Sequence, residues 1–271
     1  MKILAIGDIV GRPGREALEA LLPSLVAELS PDLIIGNGEN SAGGFGMTKN
    51  VFDELTTKIG LDVITMGNHW MDKKEIYSFM NQHENLILPG NMKNVSDHKK
   101  GLFIGTTKTG HRFAVINLIG RVFMNEGNQC PFDMADKLIS YIPAAVRVRI
   151  VDFHAEATSE KQALAHYLAG KTSFFYGTHT HTPTADERIL ARHTGFVTDL
   201  GMTGPYDSVI GINKEASIRR FMNGEKKSWG PAKDDIQLHA VLSEIDPVTG
   251  QCQKITRIKR YLEKNSVAAS V

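Results

Sequence analysis

The 271-residue chain predicts an α/β fold. Three observations carry that prediction. Short apolar runs recur ahead of helical patterns, two later pairs of apolar runs are joined by turn sequences, and no linker, repeat or low-complexity tract divides the chain. Residues 1–271 are therefore read as one domain, with a parallel core and an antiparallel portion.

KILAIG (2–7) is a strand that ends at Asp8, and PGREALEALLPSLVAEL follows with apolar residues at helical spacing, Pro13 near its start and Pro23 expected to kink or divide it. The unit recurs. DLIIGN (32–37) leads through a glycine-rich loop into the helical VFDELTTKI, and DVITMG (62–67) leads into the helical KKEIYSFMNQ. After Pro89, GLFIGTT and RFAVINLIG flank Lys108-Thr109-Gly110-His111 and read as a hairpin. RIVDF (149–153) before EKQALAHYLAG, and SFFYGT (173–178), add two more strands, which the alternation predicts to continue the same sheet. ILARHTGFVTD is antiparallel in pattern, as is the pair QLHAVLSEID and CQKITRIKRYL around Pro247-Val248-Thr249-Gly250. The terminal NSVAASV is expected to fray.

Lys plus Arg number 31 and Asp plus Glu 30, so a net charge of +1 gives no bulk attraction for a polyanion. The two cysteines, Cys130 and Cys252, build neither a disulfide framework nor a Cys/His metal spacing. No run approaches the ~20 apolar residues of a membrane span, and the N-terminal apolar stretch is too short for a signal sequence. A soluble protein of the reducing cytoplasm, without a membrane partner, is expected.

The polar residues that follow the strands point to chemistry. Asp8 follows the first strand, Glu39-Asn40 the second, Asn68-His69 the third, His154 the RIVDF strand, and His179 and His181 the SFFYGT strand. Each alone has an ordinary explanation: Asp and Asn form turns and caps, and a single histidine near a core is usually just hydrogen-bonded. Together they are metal-capable groups at the ends of parallel strands, where open α/β folds bind ligands. Carboxylate, amide and imidazole suit borderline divalent ions better than calcium or a thiolate-bound zinc. The two carboxylates, the two amides and three of the histidines, His154, His179 and His181, make seven side chains, which exceed the needs of one tetrahedral ion, whereas two ions ~3.5–4 Å apart are used for displacement at phosphorus. Residues 179 and 181 lie ~6.5 Å apart along an extended chain, so each histidine can face a different ion.

The stretches GDIVGRPGR, NGENSAGGFGMT, MGNH, DFHAEATSEK, GTHTHTPTADERIL and TDLGMTGPYDSVIG resemble the calcineurin-like metallophosphoesterases, within them the YmdB-like branch of bacterial cyclic-nucleotide phosphodiesterases. The resemblance runs from residue 7 to about 211. It implies a four-layer αββα sandwich with mixed sheets. It also implies one ion on Asp8, Glu39, Asn40 and His181, and a second on Glu39, Asn68, His154 and His179, with Glu39 and a water or hydroxide shared. The superfamily's usual first motif, Asp-x-His, is here Asp8-Ile9-Val10, and Asn40 stands in for its histidine. Iron or manganese is implied, with zinc or cobalt compatible with the donors. His69 resembles the family's catalytic histidine, a general acid for hydrolysis of 2′,3′-cyclic nucleotides or other, including RNA-derived, phosphodiesters. Relatives also imply a homo-oligomer. After Asn68-His69 the branch pattern expects Thr-Trp-Asp, whereas this chain has Trp70-Met71-Asp72. No substrate-binding residue is singled out, since the glycines of 41–46 and 201–205 read first as tight turns and Arg12 and Arg15 as solvated. A phosphomonoesterase or nuclease would use the same donors, and so would a regulatory sensor without turnover.

Overall fold

The computed structural model describes residues 1–124, 126–225 and 230–263. The terminal NSVAASV segment lies outside them. The first sheet contains β1 (Lys2–Ile6), β2 (Asp8–Ile9), β3 (Leu33–Asn37), β4 (Val63–Thr65) and β5 (Leu86–Ile87), and the later β12 (Met202–Pro205), β13 (Ile236–Ile245) and β14 (Cys252–Tyr261). Its order is β2-β12-β13-β1-β3-β4-β5, with β14 also paired to β13. β1, β3, β4 and β5 run parallel, and β13 is antiparallel to β1, β12 and β14.

RIVDF and SFFYGT do not continue this sheet. They form β8 (Val148–His154) and β9 (Phe174–Thr178) of a second one, with β6 (Leu102–Thr106), β7 (Arg112–Ile119), β10 (Arg188–Leu190) and β11 (Thr194–Val197), in the order β10-β11-β9-β8-β7-β6. The hairpin β6–β7 between them ends the first sheet's βα rhythm, and β7, β8, β9 and β11 are mutually parallel. Both sheets are mixed.

Strand alternation sorts the core into three layers of side chains. Ile3 and Ala5 of β1 pack with Phe113 and Val115 of β7, Ile150 of β8 and Phe174 of β9, filling the space between the sheets. Leu4 and Ile6 point the other way, toward Leu18, Leu22 and Leu25 of α1 (Gly11–Leu29). Ala114, Ile116, Val151 and Phe153 face Met134 and Leu138 of α4 (Pro131–Ser140) and Leu164 and Leu168 of α5 (Thr158–Leu168). Both faces of β1, β7 and β8 are thus buried, which is why these strands read as nearly continuous apolar runs.

Helix α1 continues through Pro23 without division, since the missing amide is absorbed within a 19-residue helix. VFDELTTKI divides into α2 (Lys49–Asp53) and a π-helical turn (Glu54–Ile59). KKEIYSFMNQ forms only the short α3 (Ile76–Phe79). Helix α6 (Lys214–Asn223) precedes β13. Among the described residues no helix is long and apolar enough to cross a membrane.

Candidate metal centre

The C-terminal ends of β1, β3 and β4 in the first sheet meet those of β8 and β9 in the second. Five chain segments therefore deliver side chains to one place. Asp8, Glu39 and His154 are at most 1% exposed, Asn40 and His181 are buried, and Asn68, His69 and His179 are half-buried.

His154 is the centre of one group. Its Nδ1 lies 3.0 Å from Thr178 Oγ1, and that hydroxyl donates to Asp152 Oδ1 at 2.7 Å, so the threonine oxygen accepts a hydrogen bond from His154 Nδ1. The other ring nitrogen then faces inward. Around Nε2 stand Asn68 Oδ1 at 3.0 Å, His179 Nδ1 at 3.0 Å and Glu39 Oε1 at 3.1 Å. A single proton on Nε2 satisfies only one of these neighbours; a divalent cation among them satisfies all four atoms, and the mixture of nitrogen and oxygen suits a borderline ion. Glu39, His154 and His179 offer ligand atoms all within 4.8 Å of one another.

A second group adjoins it. Among the described residues Asp8 Oδ1 and Asn40 Oδ1 are buried acceptors without a hydrogen-bond partner, although buried polar atoms are normally paired. His181 Nε2 lies 3.9 Å from Asp8 Oδ1, while its Nδ1 donates to the Ile210 carbonyl at 2.8 Å and leaves Nε2 as the inward acceptor. The two groups touch, because His154 Nδ1 is 4.0 Å from the same Asp8 oxygen and Asp8 Oδ2 accepts the His179 amide at 3.1 Å. The residues present fit two cations: the donors are acceptors throughout, and two of them are orphaned.

Electrostatics agree. Burial pushes Asp8 up to about 6, against the opposing pull of His181 and His154. Burial also acts to raise Glu39, but the charge and hydrogen bond of His154, with His69 behind them, hold it at about 2. For His154 burial favours the neutral ring, yet Glu39, Asp8 and Asp152 outweigh it and raise the pKa. Burial, followed by repulsion from His154, lowers His179 to about 3. The surroundings thus favour positive charge at His154 and resist it on the neighbouring imidazole of His179.

His69 belongs to neither group of inward acceptors. Its amide donates to Glu39 Oε2 at 2.9 Å, and its ring, about one-third exposed, turns away to meet Asp72 Oδ2 through Nδ1 at 2.7 Å. Among the described residues Nε2 has no hydrogen-bond partner, and the Phe45 ring centroid lies 5.3 Å from that of His69. The departure at residues 70–71 lies outside the centre. Trp70 is buried, and its indole N–H meets Met92 Sδ at 3.0 Å.

The family model for YmdB-like proteins matches residues 4–258. The chain belongs to the YmdB-like family. A 2′,3′-cyclic-nucleotide 2′-phosphodiesterase of Bacillus subtilis is 42% identical over 95% of this chain and 96% of its own. A putative phosphatase/phosphodiesterase of Mycoplasma genitalium is 34% identical over the whole of this chain and 96% of its own. Among solved structures, a hypothetical protein from Thermus thermophilus superposes with a TM-score of 0.88 at 35% identity, covering 96% of this chain and 99% of that one. A novel phosphatase from Mycoplasma pneumoniae does so with a TM-score of 0.88 at 32% identity, covering 96% and 93%.

Several residues that shape the centre of this YmdB-like chain escape sequence reasoning. Asp152 is a charge inside the apolar RIVDF run, which is a readable signal, and Thr178 links it to His154. Glu156 Oε2 lies 3.2 Å from His179 Nε2, and its only signals are its nearness to His154 and its place in the stretch DFHAEATSEK. Gly67 matters by what it lacks. A Cβ there would stand 2.3 Å from Glu39 Oε2 and from His154 Nε2.

Proposed function

We propose that this chain is a phosphodiesterase that hydrolyses 2′,3′-cyclic nucleotides, and related RNA-derived diesters, with two divalent ions. One ion is assigned to Glu39, Asn68, His154 and His179, the other to Asp8, Asn40 and His181, with Glu39 between them. The observation that carries this reading is the convergence of Asn68 Oδ1, His179 Nδ1 and Glu39 Oε1 on His154 Nε2 at 3.0–3.1 Å. The B. subtilis relative's name supports the substrate class. The oxygen-and-imidazole donor set is compatible with iron or manganese, and also with zinc or cobalt.

A phosphodiester resists attack because its anionic oxygens repel the nucleophile. Two bound divalent ions supply charge neutralisation and a water acidic enough to act near neutral pH. The chain's own residues prepare the rest. Thr178 and Asp152 keep the His154 proton on Nδ1, and the Ile210 carbonyl does the same for His181, so both rings present lone pairs inward. Asp72 accepts a hydrogen bond from His69 Nδ1, leaving Nε2 as the atom that hands a proton to the departing ribose oxygen. Such general acid catalysis is typically worth ~10²–10⁴-fold.

The test is hydrolysis of 2′,3′-cyclic AMP by anaerobically purified wild type and His69→Ala, with metal content measured on both. The reading expects equal metal and a collapse of turnover in the variant. Metal lost from His69→Ala, or a wild type with full metal and no hydrolysis, contradicts it. The M. pneumoniae structure is called a phosphatase and the M. genitalium relative's name admits either activity, so a phosphatase is the second reading. Preference for p-nitrophenyl phosphate over its bis ester would select that one.

A further inference from the structure

Behind the candidate centre lies a buried ion pair that the proposed chemistry does not use. Lys161 of α5 is fully buried, and its Nζ meets Asp199 Oδ2 at 2.6 Å. The lysine stem reaches the aspartate past Gly177, where a Cβ would stand 2.8 Å from Lys161 Cδ. Asp199, itself 1% exposed, spends its remaining capacity on backbone and loop: Oδ1 accepts the Gly201 amide at 2.8 Å, and Oδ2 accepts both Thr180 Oγ1 at 2.8 Å and the Thr180 amide at 3.2 Å.

Thr180 is the residue between His179 and His181. Those two histidines have φ values of 97° and 61°, left-handed backbone that residues with a Cβ rarely adopt and that persists only where surrounding structure over-determines it. The anchor at Thr180 supplies that constraint, because it fixes both the amide and the side chain of the residue between them. A buried ion pair is also poor evidence of stability alone, since apolar replacements of such pairs are often neutral or stabilising. A role in fixing geometry accounts for it better.

We propose that the Lys161–Asp199 pair, acting through Thr180, is a positioning device that holds His179 and His181 in the backbone conformation that aims each ring at its own ion. Lys161 sits on the helix that follows His154, and Asp199 follows β11, so the pair also ties the loop to the two segments flanking it in space. This inference rests on the metal-binding reading above and adds the residues that set metal retention.

The experiment measures Mn²⁺ affinity, by competition with a chelator, for full-length wild type, Thr180→Val and Thr180→Ser, alongside the melting temperature of each metal-stripped protein. Thr180→Val keeps the shape and deletes the hydroxyl; Thr180→Ser keeps the hydroxyl. Loss of an outer partner of a metal ligand typically weakens metal binding 10–100-fold. The proposal expects a loss of about that size in Thr180→Val, near wild-type affinity in Thr180→Ser, and matching melting temperatures. Wild-type affinity in Thr180→Val overturns it, as does an equal loss in both variants or a loss matched by a drop in melting temperature. A wild type that binds no Mn²⁺ would instead overturn the metal-binding reading.

Discussion

Replacing Gly67 with alanine tests the candidate centre through a single methyl group. The added Cβ would lie 2.3 Å from Glu39 Oε2, 2.3 Å from His154 Nε2 and 2.4 Å from His154 Cδ2. Real Cβ contacts essentially never fall below 3.0 Å, so these groups or the β4 end must separate by at least 0.7 Å. Metal–ligand distances tolerate only about ±0.2 Å. A displacement several times that tolerance, applied to two ligands at once, is expected to abolish binding at the position shared by Glu39 and His154. Overpacking of this kind costs about 1–3 kcal/mol of stability, so the fold should survive. The assay is metal content after dialysis against Mn²⁺, with circular dichroism as the check on folding. A folded Gly67→Ala protein that retains as much Mn²⁺ as the wild type would refute the geometry.

Two further outcomes are expected. Glu39→Gln removes the charge between the two groups while preserving the shape, and should lower Mn²⁺ occupancy at both positions; equilibrium dialysis that finds occupancy unchanged would remove Glu39 from its shared role. His239, in β13, should make stability sensitive to acid. Burial, followed by the charges of Lys259 and Arg257, holds its pKa at about 4 against an ordinary 6.5. Between those values the unfolded chain binds a proton that the folded one refuses, so stability falls as pH drops from about 6.5 to about 4. With screening by nearby solvent the loss is about 1–3 kcal/mol. Urea unfolding at pH 7 and pH 4.5 should show it, and His239→Gln should reduce it; an unchanged pH dependence in that variant would assign the effect elsewhere.

Much of the fold was legible because local pattern and tertiary role agree. β1, β3 and β8 are apolar on both faces, and the Pro247–Gly250 turn joins β13 to β14 as its residues demand. The division into two sheets was not legible from periodicity. β7 and β8 look like any buried parallel strands, and only their own ladder, with Phe113 opposite Val148, places them in a sheet other than that of β5. The resemblance, rather than the pattern, pointed to that layering. KKEIYSFMNQ carries helical spacing at Ile76 and Phe79 but forms only the short α3, because turns on either side take the remaining residues. At the centre, side chains that follow strands stood out one by one. What holds them did not, because Asp199, Lys161 and Gly67 owe their roles to contacts across segments distant in sequence.

The central claim is that acceptors from two sheets bind two ions. An anomalous difference map from crystals grown with Mn²⁺ tests it most directly. Two peaks are predicted, one among Glu39, Asn68, His154 and His179 and the other beside Asp8, Asn40 and His181. A map that lacks either peak, in crystals where Mn²⁺ is present at saturating concentration, would contradict it.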